Sequence, residues 1–125
     1  MAESKAVLKS LRLSPRKVRT VVSLVKGKSV NDAFNILDYA VKRSALPVKK
    51  LLISAVANAK SQGLKEDGLY IKDIRVDQAQ TLKRTRPASR GSAHPIKKRS
   101  SHIMVVLTTE NPKPNKKVKI KKAKE

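Results

Sequence analysis

Between Thr81 and His102 the chain reads TLKRTRPASRGSAHPIKKRSSH, with seven Lys and Arg and neither an acidic nor an aromatic residue. This stretch cannot form a core of its own. Leu82 and Ile96, with the small Ala88 and Ala93, offer too little apolar surface to offset the entropy of ordering it. The segments on either side nevertheless read as strands. From Tyr70 the period is two, with Tyr70, Ile74 and Val76 on one side and Asp73, Arg75 and Asp77 on the other. HIMVVLT, from His102 to Thr108, is a run of β-branched and apolar residues. About 25 residues between two strands is too many for a tight turn and unusual for a structureless loop in a small domain. Pairing Ile74 with Leu107 and Val76 with Val105 centres a hairpin on Arg90-Gly91, where Gly91 supplies left-handed freedom and Pro87 and Pro95 flank the tip. That symmetry predicts that both strands run on past the body as a long β-hairpin arm, residues 78–103. With roughly twelve residues per strand at about 3.3 Å each, the tip stands about 40 Å from its base.

Such an arm needs an external source of negative charge. A two-stranded ribbon without a hydrophobic face is marginal in water, and Lys83, Arg84, Arg86, Arg90, Lys97, Lys98 and Arg99 repel one another. Across all 125 residues, 30 Lys and Arg stand against nine Asp and Glu, a net charge of +21 that opposes compaction unless a polyanion screens it. Nucleic acid is the leading partner. Seven phosphate contacts would make binding salt-sensitive, with a log–log slope on the order of five to six. An anionic membrane is the main competitor, but no apolar run reaches the length of a spanning helix and no signal-peptide pattern opens the chain, so the expectation is a soluble, non-exported protein.

The absence of cysteine excludes disulfides, thiolate nucleophiles and Cys-based zinc sites. Phe34, Tyr39 and Tyr70 are the only aromatics, so binding rests on charge and shape rather than on base-stacking platforms. Glu66 and Asp67 in LKEDGL lack the alternating ligands of a calcium loop and read as a solvated turn. His94 and His102 have no carboxylate placed to orient them; His102 reads as a hydrogen-bonding strand residue and His94 as a phosphate contact. Neither enzyme, metal site nor cofactor is expected.

The remainder reads as one modest domain, residues 1–110, followed by a lysine-rich tail, 111–125. An opening strand places Val7, Leu11 and Leu13 on one side. Ser14-Pro15 starts a helix whose stripe is Val18, Val21, Val22 and Val25, stopped by Gly27. Arg16, Lys17 and Arg19 crowd its first turn, the unfavourable end of the helix dipole for cations, which points to phosphate contacts. A second helix from Ser29, with Asp32 as a capping partner, buries Ala33, Phe34, Leu37, Ala40 and Val41. After Lys42, Arg43 and Ser44 break that pattern, a third carries Val48, Leu51, Leu52, Ala55, Val56 and Ala59 before Gly63, and Ala55, Ala57 and Ala59 allow close approach to a neighbour. Asn58 serves either RNA or a neighbouring loop.

LSPRKVRTVVSLVKGKSVNDAFNIL, KKLLISAVANA and IRVDQAQTLKRTRPASRGSAHPIKKRSSHIMVVL together resemble the bacterial-type family of large ribosomal subunit protein twenty-two, from roughly Lys5 to Thr108. The resemblance implies an α+β fold, three helices packed on a three-stranded antiparallel sheet with a protruding hairpin arm. It implies large-subunit ribosomal RNA as partner, held by the seven arm cations, with neighbouring ribosomal proteins beside it. The tip, Ser89, Arg90, Gly91, Ser92 and Ala93, would face the nascent polypeptide at the exit-tunnel wall. It further implies one copy per ribosome, no homo-oligomer and a cytoplasmic or organellar ribosome. Gln78-Ala79-Gln80 departs from the family's usual Glu-Gly-Pro, and Ser89 and Ser92 stand where arginine is common. The competing reading is an architectural DNA-binding protein with a minor-groove arm.

Overall fold

The computed structural model describes residues 2–111, so of the basic tail expected at 111–125 only Asn111 lies within it. Three strands form the body sheet: β1 (Glu3–Leu11), β2 (Tyr70–Gln78) and β5 (Ser101–Thr108), in the order β1-β5-β2 and antiparallel. The helices α1 (Pro15–Val25), α2 (Val30–Tyr39) and α3 (Ala45–Ser61) complete it. α1 and α3 pack on the sheet, and α2 packs on both of them. The arm is a second sheet of β3 (Leu82–Pro87) and β4 (Ala93–Lys98). The expected α+β architecture is present.

The helices form where caps and apolar spacing dictate. α1 starts at Pro15, whose missing N–H costs nothing at that position, and buries Val18, Val21, Val22 and Val25. The Ser29 hydroxyl accepts the Asp32 N–H at the start of α2. α2 ends at Tyr39, so Val41 lies beyond the helix and is 97% exposed rather than in the core. α3 buries the six expected residues, whereas Ala57 faces solvent. It stops at Gly63 (φ 83°), where the Leu64 N–H returns to the Ala59 carbonyl.

Two bulges reverse the strand faces that simple alternation predicts. Pairing slips between Leu8 and Leu11, with Ser10 at φ 58°. The inward residues are therefore Ser4, Ala6 and Leu8 before the bulge and Leu11 after it, and Val7 points outward at 53% exposure. In β2 the slip between Ile71 and Asp73 puts Ile71, not Tyr70, on the core face with Ile74 and Val76. The Ser10 N–H finds its acceptor in His102 Nδ1 at 3.0 Å, which bears out the hydrogen-bonding role expected of that histidine.

Hairpin register also differs from the symmetric count. Ile74 pairs with Val105 and Val76 with Ile103, each two residues from the expected partner. The shift of two preserves the faces. In the arm Lys83 pairs with Lys97 and Arg84 with Ile96, so the tip centres on Arg90. Unmatched residues explain the difference, because a count inward from the body cannot know of the β2 bulge or of a break at the arm root. That break also makes the arm a separate ladder, not the continuous extension of β2 and β5 that was expected.

Both edges of the body sheet are closed by side chains from the helices. Asn58 Nδ2 donates to the Lys5 carbonyl on β1 at 2.9 Å. Arg19 Nη2 and Nε donate to the Val76 carbonyl on β2 at 2.9 and 3.3 Å. Each bond occupies an acceptor that an exposed edge would offer to another chain. The buried Ser4 hydroxyl donates to the Ala55 carbonyl at 2.8 Å, which the small Ala55 permits by letting α3 approach β1 closely.

The two histidines should separate in a stability measurement. His102→Ala leaves the Ser10 N–H without its partner and is expected to cost about 1 kcal/mol in urea unfolding. His94→Ala, on the exposed arm, should stay within about 0.5 kcal/mol of the parent.

Candidate nucleic-acid interface

The arm carries its cations on both faces. Alternation in the observed register puts Arg84, Arg86 and Lys98 on one face with Leu82, His94 and Ile96, and puts Lys83 and Lys97 directly opposite each other on the other. Leu82 and Ile96 are half-buried, and Lys83 to Pro87 are exposed throughout. A ribbon with charge on both faces has no side suited to packing on a protein body. Its chemistry suits a surrounding of phosphate. At the tip, Arg90 (φ 57°) and Gly91 (φ 70°) are both left-handed. The turn is closed by Ala88 N–H to the Ser92 carbonyl at 2.8 Å and by the Ser92 hydroxyl to the Ser89 carbonyl at 2.7 Å.

Carboxylates are committed elsewhere. The ion pairs among the described residues are Lys26–Asp73, Arg75–Asp73, Lys49–Asp38, Lys60–Glu66 and Lys72–Glu3, all in the body. None involves an arm cation. The Lys72 ammonium, hydrogen-bonded to Glu3, holds that carboxyl below its ordinary range, and Glu3 in turn holds Lys72 above its own. What this pair contributes to stability is present at neutral pH and is lost as pH falls through the lowered Glu3 value. The other loss is far alkaline, as pH rises through the raised Lys72 value.

A cleft at the arm root gathers cations that sequence reasoning left apart. Arg12, Lys17, Arg43, Lys97, Lys98 and Arg99 line it with Leu13 and Ser14. A neighbouring cleft shares Leu13, Lys17 and Arg43 and adds Thr20, Lys42 and Ser44. Of the three cations singled out at the start of α1, Lys17 lies in both clefts, Arg16 is exposed, and Arg19 is engaged by the Val76 carbonyl. Arg90 stands apart at the tip. Arg12, Lys42 and Arg43 were not expected in the interface; Lys42 and Arg43 registered only as a break between helices. Their signal was the adjacency of two cations in a connection too short to hide them.

A family model described as ribosomal protein L22p/L17e matches residues 6–108. The chain belongs to the L22p/L17e family of ribosomal proteins. Among its relatives, the large ribosomal subunit protein uL22 of Thermus thermophilus is 52% identical over 106 residues, covering 84% of this chain and 94% of the relative. The proteins of the same name from Desulfitobacterium hafniense and Myxococcus xanthus are 48% and 51% identical over 108 residues, each covering 95% of the relative. Family membership makes this a ribosomal protein and not an enzyme, and gives the architectural DNA-binding reading no support. The L22p/L17e match spans both body and arm, from within β1 to the end of β5. Among the described residues no helix is long and apolar enough to cross a membrane.

Opposed lysines give a direct handle on the L22p/L17e arm. Lys97→Glu sets a carboxylate across from Lys83, and cross-strand pairs of opposite charge are favourable by roughly 0.2–1 kcal/mol where like charges are not. Arm amides in the free protein should become more protected from hydrogen exchange, while the protein should elute from heparin at lower salt.

Proposed function

We propose that this protein is a structural constituent of the large ribosomal subunit that binds large-subunit ribosomal RNA and supports its assembly. Its arm tip would stand at the wall of the nascent-peptide exit tunnel. The observation that carries this reading is the arm itself, cationic on both faces with no carboxylate paired to it among the described residues. Inside folded RNA each of those cations meets phosphate, and the release of condensed counterions drives the association. The names of the relatives, each a large ribosomal subunit protein, support the same assignment.

Roles divide along the chain. Residues 1–110 act as one RNA-binding domain, with 111–125 as a basic tail. Lys83, Arg84, Arg86, Lys97, Lys98 and Arg99 hold RNA along the arm, with Arg16, Lys17 and Arg19 at the start of α1. Arg19 does so with the donors left over from its bond to Val76. Ser89 to Ala93, including Arg90, face the nascent polypeptide. Neighbouring ribosomal proteins meet the body, one copy serves each ribosome, and the protein works in the cytoplasm within that particle.

Replacing Arg84 and Arg86 together with Ala should lower incorporation into large subunits on sucrose gradients at raised salt, with body stability unchanged. Incorporation equal to that of the parent would count against the arm as anchor. Deleting Ser89 to Ala93 should leave the protein in the subunit and alter the passage of nascent chains, read as changed stalling in a translation extract. Loss of incorporation on that deletion would overturn the division between anchoring arm and tunnel-facing tip.

A further inference from the structure

The arm meets the body at an interruption. β2 ends at Gln78 and β3 begins at Leu82, while β4 ends at Lys98 and β5 begins at Ser101. Ala79, Gln80 and Thr81 therefore face only Arg99 and Ser100. The backbone bond across this gap is Ala79 N–H to the Ser100 carbonyl, at 2.9 Å. A ladder with an unmatched residue and so few bonds resists bending weakly. On its body side the junction is fixed, because the buried Ser101 hydroxyl donates to the Leu13 carbonyl at 2.6 Å.

The root cleft lies across this weak point. Of its six cations, Arg12, Lys17 and Arg43 belong to the body, and Lys97, Lys98 and Arg99 to the arm and its root. In the free protein the two groups repel, and the repulsion falls as the arm swings away. Phosphate between them reverses the sign, since each phosphate attracts both groups and does so most strongly when the cleft is closed. A ligand moves a conformational equilibrium only by its difference in affinity for the two states. One that bridges body and arm has that difference. The concave shape matters too: cations from three chain segments converge on one place, which suits a sharp turn where phosphates crowd, whereas a regular duplex presents them spread along a convex ridge.

We infer that the arm-root cleft is a binding site for clustered RNA phosphates and that filling it locks the arm at one angle to the body. This rests on the proposed attachment to ribosomal RNA, but it assigns a separate task to the root: the arm cations hold, and the root aims.

The chain has no cysteine, so a donor and acceptor dye can be placed at Ser54→Cys, exposed on α3, and Ser89→Cys at the tip. Single-molecule energy transfer should give a broad distance distribution for the free protein and a narrow one bound to a large-subunit ribosomal RNA transcript. Lys17→Gln with Arg43→Gln should lower the log–log salt slope by about 1.5 to 2 and leave the distribution of the bound protein broad. Lys98→Gln, on the arm side of the same cleft, should broaden it independently, and an unchanged thermal midpoint checks the body in each variant. A free protein already as narrow as the complex, or variants that narrow as the parent does, would overturn the lock while leaving RNA attachment standing. Failure of the parent to bind the transcript would instead overturn the attachment, and the lock with it.

Discussion

Unbalanced positive charge, and where it is placed, governs this molecule. The body balances part of its charge internally, through Lys26 and Arg75 on Asp73, Lys49 on Asp38, Lys60 on Glu66 and Lys72 on Glu3. The arm and its root have no such pairs among the described residues. At near-surface permittivity two unit charges 4 Å apart interact by about 4 kcal/mol. That is comparable to a large fraction of a small domain's net stability, so a cluster of like charges cannot be left to the fold's own resources. The body can hold its shape through the apolar contacts of Val18, Leu52, Ile71 and Ile103. The arm has only Leu82 and Ile96 half-covered, and its order depends on what surrounds it.

The same cation types serve two ends, and exposure alone does not separate them. Arg19 lies near Arg16 and Lys17 on α1, yet its guanidinium fork closes the edge of β2 on the Val76 carbonyl. Arginine suits this because its planar donors can share one acceptor and still present others outward. Asn58 does the equivalent for β1. Sheet closure and nucleic-acid contact are thus built from neighbouring residues of the same helices.

Much of the fold was legible because it rests on local chemistry. Ser14-Pro15, Ser29 and Gly63 mark helix ends by their own backbone preferences, and the valine and leucine stripes of α1 and α3 fall where a period of 3.6 puts them. Failures cluster where a single extra residue changes the geometry. Bulges near Ser10 and Lys72 reversed the expected inward faces, exposing Val7 and burying Ile71, because alternation carries no mark of an unpaired residue. The arm was visible as an acid-free stretch between two strands, but its separation from the body was not, since Ala79-Gln80-Thr81 opposite Arg99-Ser100 leaves no compositional trace. For the root cleft the reason is tertiary. Arg12, Arg43 and Lys98 are far apart in sequence and meet only because β5 and the connection between α2 and α3 bring their segments together.

Strand order has a consequence for how the chain is made. β1 and β2 each pair in the body sheet with β5, the last strand to be synthesised and the central one. While the chain grows from its N-terminus, the three helices can coil and the finger can be completed, yet neither outer strand has its ladder partner until Thr108 is available. The sheet therefore closes in one late step across wide sequence separations, a slow kind of event for a chain of this size. Until then two open edges coexist with a large excess of like charge, which keeps unfinished copies apart during the interval when they could otherwise join edge to edge.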